Sequence, residues 1–306
     1  MLIVEVEVMS VERLSPSFVR VELGAAELAD FGVDGQRYDQ RIKLVLPHPS
    51  TGRMASVTGG DESWTATWLD LPVEERGHMR TYTIRDVRGA GAGTTIVVDI
   101  VLHHEGGPAG PGSTWAAAAA PGDRVVMVAP RRGSPFGGIE FDPAPDAELL
   151  MAADETAVPA VCAVLEQLPS TAIGAVFMEV PTARDILDVR GPENVSITWL
   201  PRGREPLGRR LHDAVVAHLG IPVAGVDVAL DEVDPDLWET PSYSSSGEEI
   251  SPARAVGHDL DGLYAWIAGE SRVVTGLRRH LVSGLHIDRS QVAFMGYWRR
   301  GVAMRS

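Results

Sequence analysis

The run Arg80-Thr81-Tyr82-Thr83-Ile84-Arg85 combines two guanidinium forks, two hydroxyls and one aromatic ring. If the run is a strand, successive side chains point to opposite faces, which separates the ring and forks from their neighbours. A flavin needs these types: a ring to pack on, hydroxyl and backbone groups for the isoalloxazine edge, and arginine for a pyrophosphate. The same residues also suit an exposed strand with one buried tyrosine. Downstream, Asp99-Ile100-Val101-Leu102-His103 ends a β-rich run, and Gly110-Pro111-Gly112-Ser113-Thr114-Trp115-Ala116 leads into an alanine run. Glycines followed by hydroxyls at a helix start make an anion site from free N–H groups and the helix dipole.

Other chemistries lack their residues. The nine histidines are scattered and no HExxH occurs, so no protein-held metal is expected. Ser244 to Ser246 form no GxSxG elbow. The single cysteine, Cys162, excludes an intramolecular disulfide and a four-thiolate iron–sulfur cluster.

Taken together, the Arg80, Asp99 and Gly110 segments resemble the flavin-binding domain of the siderophore-interacting proteins. These are ferric-siderophore reductases within the ferredoxin–NADP reductase superfamily. Three segments of the second half are similar to the same family: Asp154-Glu155-Thr156-Ala157-Val158-Pro159-Ala160, Trp266-Ile267-Ala268-Gly269-Glu270 and Gly296-Tyr297-Trp298-Arg299. The acidic turn at Asp154 stands where other reductases of the superfamily keep a glycine-rich nucleotide turn. Gly106 to Ala109 departs from the family pattern as an insertion ahead of the glycine–proline turn. The absence of a second cysteine separates the chain from the branch that carries an iron–sulfur cluster.

The resemblance implies roles residue by residue. Arg80, Tyr82 and Thr83 contact the isoalloxazine and ribityl-phosphate of FAD. His103, Ser113 and Thr114 serve the pyrophosphate and adenosine. Thr81, Arg85, Asp99, Val101 and Trp115 complete the flavin set. Thr156 and Glu270 lie near the nicotinamide. Each has a plainer alternative: Trp115 as a packed core residue, His103 and His104 as a surface pair, Glu270 as a helix-capping acid. No protein side chain is expected to act as a general acid, since hydride passes directly from nicotinamide to flavin.

For the nucleotide, Glu179 could accept a ribose 2′-hydroxyl and favour NADH, whereas Arg184, Arg202 and Arg204 could bind a 2′-phosphate and favour NADPH. The arginines fit the family pattern better. Ferric siderophores are often anionic, and the chain carries −15, so a local basic mouth is expected among Lys43, Arg53, Arg131, Arg132, Arg299 and Arg300. These cations also suit an ordinary solvated surface. The implied activity is NAD(P)H-dependent, FAD-containing reduction of ferric siderophores. The alternatives are a flavin reductase of free flavin, quinone or a redox protein, and a non-catalytic siderophore-binding protein.

Those residues need two kinds of scaffold. Leu2 to Val8, Phe18 to Leu23, Ile42 to Leu46, Thr81 to Ile84, Thr95 to Leu102 and Arg124 to Val128 are short β-rich runs parted by Gly, Pro and Asp, which predicts a six-stranded antiparallel barrel. Gly89 to Gly93 is read as a turn, because no helix follows it. Phe136 to Asp146 is a linker. Beyond it, apolar strands alternate with helical spacings, such as Val158, Val161, Val164, Leu165 and Leu168, which predicts a doubly wound parallel sheet. The expected organisation is an FAD-binding barrel over 1–142 and an NAD(P)H-binding α/β domain over 143–306. Trp238 to Gly257, rich in Ser, Pro and Glu, is expected to be a long loop.

Composition agrees with a globular protein of two domains: 306 residues, 44% hydrophobic and 23% charged. No apolar run reaches the length of a membrane span, and the N-terminal MLIVEVEVMSVERL reads as a strand rather than a signal peptide. A strongly acidic chain argues against nucleic acid. A cytoplasmic monomer is expected. Lys43 is the only lysine, a bias that a GC-rich genome explains.

Overall fold

The computed structural model describes residues 1–55, 57, 63–103, 109–220, 237–241, 243–245 and 260–301. The chain divides into two compact units, one ending at Ile139 and the other beginning at Glu140. Among the described residues, no helix is long and apolar enough to cross a membrane.

The first unit is a seven-stranded antiparallel sheet. Its strands are β1 (Leu2–Arg13), β2 (Phe18–Gly24), β3 (Arg41–Leu46), β4 (His78–Thr83), β5 (Asp86–Arg88), β6 (Thr95–Val101) and β7 (Arg124–Ala129), in the order β4-β3-β7-β1-β2-β6-β5. The six expected runs are all there. The seventh strand, β5, is three residues long, too short to show an alternation that sequence reading could use. It pairs with β6 across the Gly89 turn, where a Cβ on Gly89 (φ 71°) would lie 2.1 Å from the Gly93 carbonyl oxygen.

Alternation sorts the faces. Val4, Val6, Val8, Val21, Leu23, Ile42, Leu44, Ile96 and Val98 fill one core. Ile3, Val45, Val126 and Val128 point the other way, under Trp64 and Trp68 of α1 (Trp64–Leu69). The short helix α2 (Val73–Arg76) follows, and the Trp68 indole donates to the Arg76 carbonyl at 3.0 Å. A third helix, α3 (Pro111–Ala118), packs against the first core, that of Val4 and Leu44, through Ala116 and Trp115.

The second unit is a mixed sheet rather than the purely parallel one expected. Five parallel strands, β8 (Glu148–Ala153), β9 (Gly174–Val180), β10 (Val195–Pro201), β13 (Leu263–Glu270) and β14 (Val292–Trp298), run in the order β10-β9-β8-β13-β14. Two short strands, β11 (Trp238–Thr240) and β12 (Tyr243–Ser244), extend the β14 edge antiparallel. They fall in the segment expected to be a loop; residues 242 and 246–257 of that segment lie outside the described residues. The helices are α4 (Val158–Leu165), α5 (Arg209–Leu219) and α6 (Ser271–Arg278), the last continuing into a π-helical turn over Arg279–Gly284. Strands β8 and β13 are buried almost end to end, as central strands of a covered parallel sheet must be. From β8 the chain runs outward to β9 and β10, then returns to β13 on the opposite side of β8. That reversal opens a crevice at the carboxyl ends of β8 and β13, where open α/β sheets bind ligands.

One buried group here has a pH consequence. His280 is 1% exposed, neither ring nitrogen has a hydrogen-bond partner among the described residues, and its ring lies 5.8 Å from that of His212. Burial, reinforced by His212, holds its pKa below the ordinary value. The unfolded chain therefore binds more protons below about pH 6.5, so stability is full above that value and falls on acidification. Denaturant midpoints at about pH 7.5 and about pH 5 check this: His280→Leu should lose less on acidification than the parent.

Candidate cofactor and nucleotide sites

In the first unit, β4 is an edge strand that pairs only with β3 among the described residues. Its outer N–H and C=O row is the kind of edge that takes another hydrogen-bonding partner. Arg80 and Tyr82 share one face, and Thr81 and Thr83 the other. Tyr82 packs on the first turn of α3, where a Cβ on Gly112 would lie 2.2 Å from the Tyr82 hydroxyl, so any side chain there would displace the tyrosine. Burial raises the Tyr82 phenol and keeps it neutral, and burial also lowers Arg80, whose Nη1 donates to the Met79 carbonyl at 2.6 Å. Lys43 Nζ reaches Thr81 Oγ1 at 3.3 Å.

Asp99 is committed within the sheet. Arg20 binds it bidentately at 2.7 and 2.8 Å, and Arg85 Nε stands 3.6 Å away, with the Asp99 side chain 1% exposed. Val101 ends β6. Two residues on, the His103 N–H donates to Ser113 Oγ at 3.0 Å, tying the end of β6 to the start of α3. Thr114 Oγ1 donates to the Ala109 carbonyl at 3.2 Å. Trp115 is half-buried against the core. His104 and residues 106–108 of the insertion lie outside the described residues.

The expected basic mouth is not a single cluster in this unit. Lys43 pairs with Val128 near the end of β7, close in sequence to Arg131 and Arg132. Arg131 is exposed and 3.8 Å from Asp30, and Arg132 donates to the Phe31 carbonyl. Arg53 lies beyond the opposite end of β3, 4.0 Å from Glu75, in an open cavity of about 770 Å³ shared with Arg124. Arg299 and Arg300 belong to the second unit, Arg299 half-buried and Arg300 exposed.

In the second unit the crevice is built around Asp154, one residue past β8 and fully buried. Its Oδ1 accepts from the Thr156 N–H at 2.8 Å and the Thr156 hydroxyl at 2.5 Å. Its Oδ2 accepts from the Glu270 N–H at 2.7 Å and the Trp298 indole at 2.8 Å. One carboxylate thus joins the tips of β8, β13 and β14. Burial and the neighbouring Glu155 push it up to about 7, against the pull of these donors. The sequence places Asp154 and Trp298 in family motifs, but the Asp-x-Thr spacing was the one local signal of this role, an Asx-type turn.

Glu270 caps α6: it accepts from the Arg272 and Val273 N–H groups at 2.8 and 3.3 Å, and its other oxygen accepts from the Arg300 N–H at 3.1 Å. The capping alternative therefore describes its contacts, at the tip of β13 and 2% exposed. Glu155 and Arg202 form a buried bidentate pair at 2.7 and 2.9 Å, and Arg202 lies 3.8 Å from Glu179. Glu179 is 0% exposed, and its oxygens accept from Gly208 and Leu211 N–H groups at the start of α5. Neither Glu179 nor Arg202 faces solvent as a ribose or phosphate ligand would; Arg184 and Arg204 do.

Comparison with known proteins agrees with this two-part geometry. The sequence matches the siderophore-interacting FAD-binding domain over residues 7–134 and the siderophore-interacting protein family over residues 146–301. An uncharacterized protein of Mycobacterium tuberculosis is 39% identical over 199 residues, a match spanning 64% of this chain and 64% of that protein. The ferric vibriobactin reductase ViuB of Vibrio cholerae is 28% identical over 289 residues, covering 94% of this chain and 86% of its own. The crystal structure of a siderophore utilization protein from T. fusca superposes with a TM-score of 0.66 at 27% identity, covering 99% of this chain and 95% of that one. With both halves matched in order, the chain belongs to the siderophore-interacting protein family.

Proposed function

We propose that this chain is an FAD-containing, NAD(P)H-dependent ferric-siderophore reductase that releases iron as Fe(II) in the cytoplasm, acting as a monomer. Residues 1–142 bind FAD and residues 143–306 form a doubly wound nucleotide-binding domain. The observation that carries the reading is the presence in one chain of two features: an open β4 edge beside the glycine-floored start of α3 in the first unit, and a strand-tip crevice in the second. The residues present suit FAD. The outer edge of β4 and the hydroxyls of Thr81 and Thr83 offer hydrogen bonds to the isoalloxazine, and Tyr82 offers a packing surface. Arg80 and the first-turn N–H groups of α3 favour a pyrophosphate.

When bound, FAD converts a two-electron hydride donor into a source of single electrons. The chain's task is then to bind, orient and exclude water. Thr156 and Glu270 bound the nicotinamide end of the crevice. Lys43, Arg131 and Arg299 attract the anionic ferric chelate, whose Fe(III) is held far more tightly by hard oxygen donors than Fe(II). Reduction therefore frees the metal.

NADPH is the favoured donor, because Glu179 is sealed by the α5 amides while Arg184 and Arg204 stand open. Replacing both arginines with glutamate should lower kcat/KM for NADPH by roughly a hundredfold, two charge-assisted contacts' worth, and leave NADH nearly unchanged. Steady-state rates with both donors check this; an equal fall with both would refute the assignment. The reductase reading itself is tested by loading the purified protein with FAD and adding NADPH without oxygen. Bleaching of the flavin is expected. A protein that takes up no FAD would instead be a siderophore carrier.

A further inference from the structure

The Thr156 hydroxyl has one proton and two lone pairs to distribute. Its proton points at Asp154 Oδ1, 2.5 Å away, and the Thr156 backbone N–H converges on the same oxygen. As the carboxylate, the form it takes above about pH 7, Asp154 offers no proton in return. The other two groups at its carboxylate, the Glu270 N–H and the Trp298 indole N–H, are also donors. The half-buried Thr156 hydroxyl is therefore left with lone pairs only on its open side, at the tip of the central strand and directly before α4.

We propose that Asp154 is a positioning residue that makes Thr156 an acceptor-only contact, and that Thr156 thereby selects dinucleotides whose ring carries an amide N–H donor. This rests on the reading of the crevice as the nicotinamide site. A carboxamide satisfies the hydroxyl lone pair. A methyl ketone brings only an acceptor to it, and a carboxylate brings a repelling charge. The selection is set by a hydrogen bond whose direction Asp154 dictates, so it is separable from the stability that the same carboxylate gives to the strand tips.

The test uses full-length, FAD-loaded protein at about pH 8.5, above the range in which Asp154 takes up a proton. Binding of NADP⁺ and of its 3-acetylpyridine analogue, in which the amide is a methyl ketone, is read from the flavin difference spectrum. The parent should prefer NADP⁺ by about tenfold, the value of one net hydrogen bond. Thr156→Val should bring that ratio to about one, while Thr156→Ser keeps it. Asp154→Ala frees the hydroxyl proton to meet the ketone and should also lower the ratio; if that variant does not fold, the two Thr156 variants decide alone. A merely structural Thr156 would change both affinities together and leave the ratio in place. An unchanged ratio in Thr156→Val, or a parent ratio near one, overturns the inference while the nucleotide reading stands. Failure of the parent to bind either dinucleotide overturns both.

Discussion

Replacing Arg202 with alanine should destabilise the second unit by about 3–5 kcal/mol, the cost of leaving a buried acid without its partner. Arg202 is 5% exposed and holds Glu155 through two hydrogen bonds, with Glu179 close by. Without the guanidinium, two carboxylates remain in a dry pocket. Glu179 keeps the Gly208 and Leu211 amides, but Glu155 loses both of its guanidinium contacts. For a unit of this size the loss corresponds to a fall in Tm of roughly 10 °C. The double variant Arg202→Met with Glu155→Met should recover most of it, since a buried ion pair replaced by well-packed apolar groups is often neutral. Thermal unfolding of both variants checks the argument. If Arg202 gripped a 2′-phosphate instead, the single variant would melt like the parent and lose only its preference for NADPH.

Gly269→Ala should be nearly as damaging, for a different reason. Gly269 has φ 151°, a region that side chains rarely adopt, and an added Cβ would lie 2.6 Å from Asp154 Cγ and 2.7 Å from Oδ2. Asp154 cannot retreat, because four donors from three strand tips fix it. Backbone strain of about 1–3 kcal/mol therefore adds to the disruption of the Asp154 network, for a total of about 3 kcal/mol or more. Chemical denaturation should show that loss, and indole fluorescence should report the displacement of Trp298. Flavin content should be unchanged, because the residues suited to FAD lie in the other unit. A variant as stable as the parent would mean that the Asp154 junction is softer than its geometry implies.

Much of the scaffold was legible because it depends on local periodicity. Alternation in Leu2 to Val8 is enforced by a sheet with two distinct faces, Thr95 to Leu102 reads as a β-branched run buried along its length, and the change of rhythm after Phe136 marks a change of unit. What escaped was either too short or too distant. Strand β5 has three residues, and β11 with β12 hides in a polar, proline-bearing segment whose strand character comes from pairing with Phe294 and Met295. The site was legible by residue type but not by connection. Arg202 and Glu179 look like nucleotide ligands until the fold brings Glu155 and the start of α5 to them. Asp154 meets Glu270 and Trp298 across 116 and 144 residues, a separation no spacing rule anticipates. Glu270 had two readings in sequence, and its contacts are those of the cap.

In the proposed reaction, electrons pass from a nicotinamide nucleotide through FAD on this chain to a ferric siderophore. Its most direct test is anaerobic stopped-flow mixing of NADPH-reduced, FAD-loaded protein with ferric hydroxamate, catecholate and carboxylate chelates, with a ferrous-specific chelator present. At least one class should restore the flavin absorbance, with two Fe(II) trapped per NADPH consumed. Flavin that no ferric chelate reoxidises, but that a quinone reoxidises at once, would contradict it.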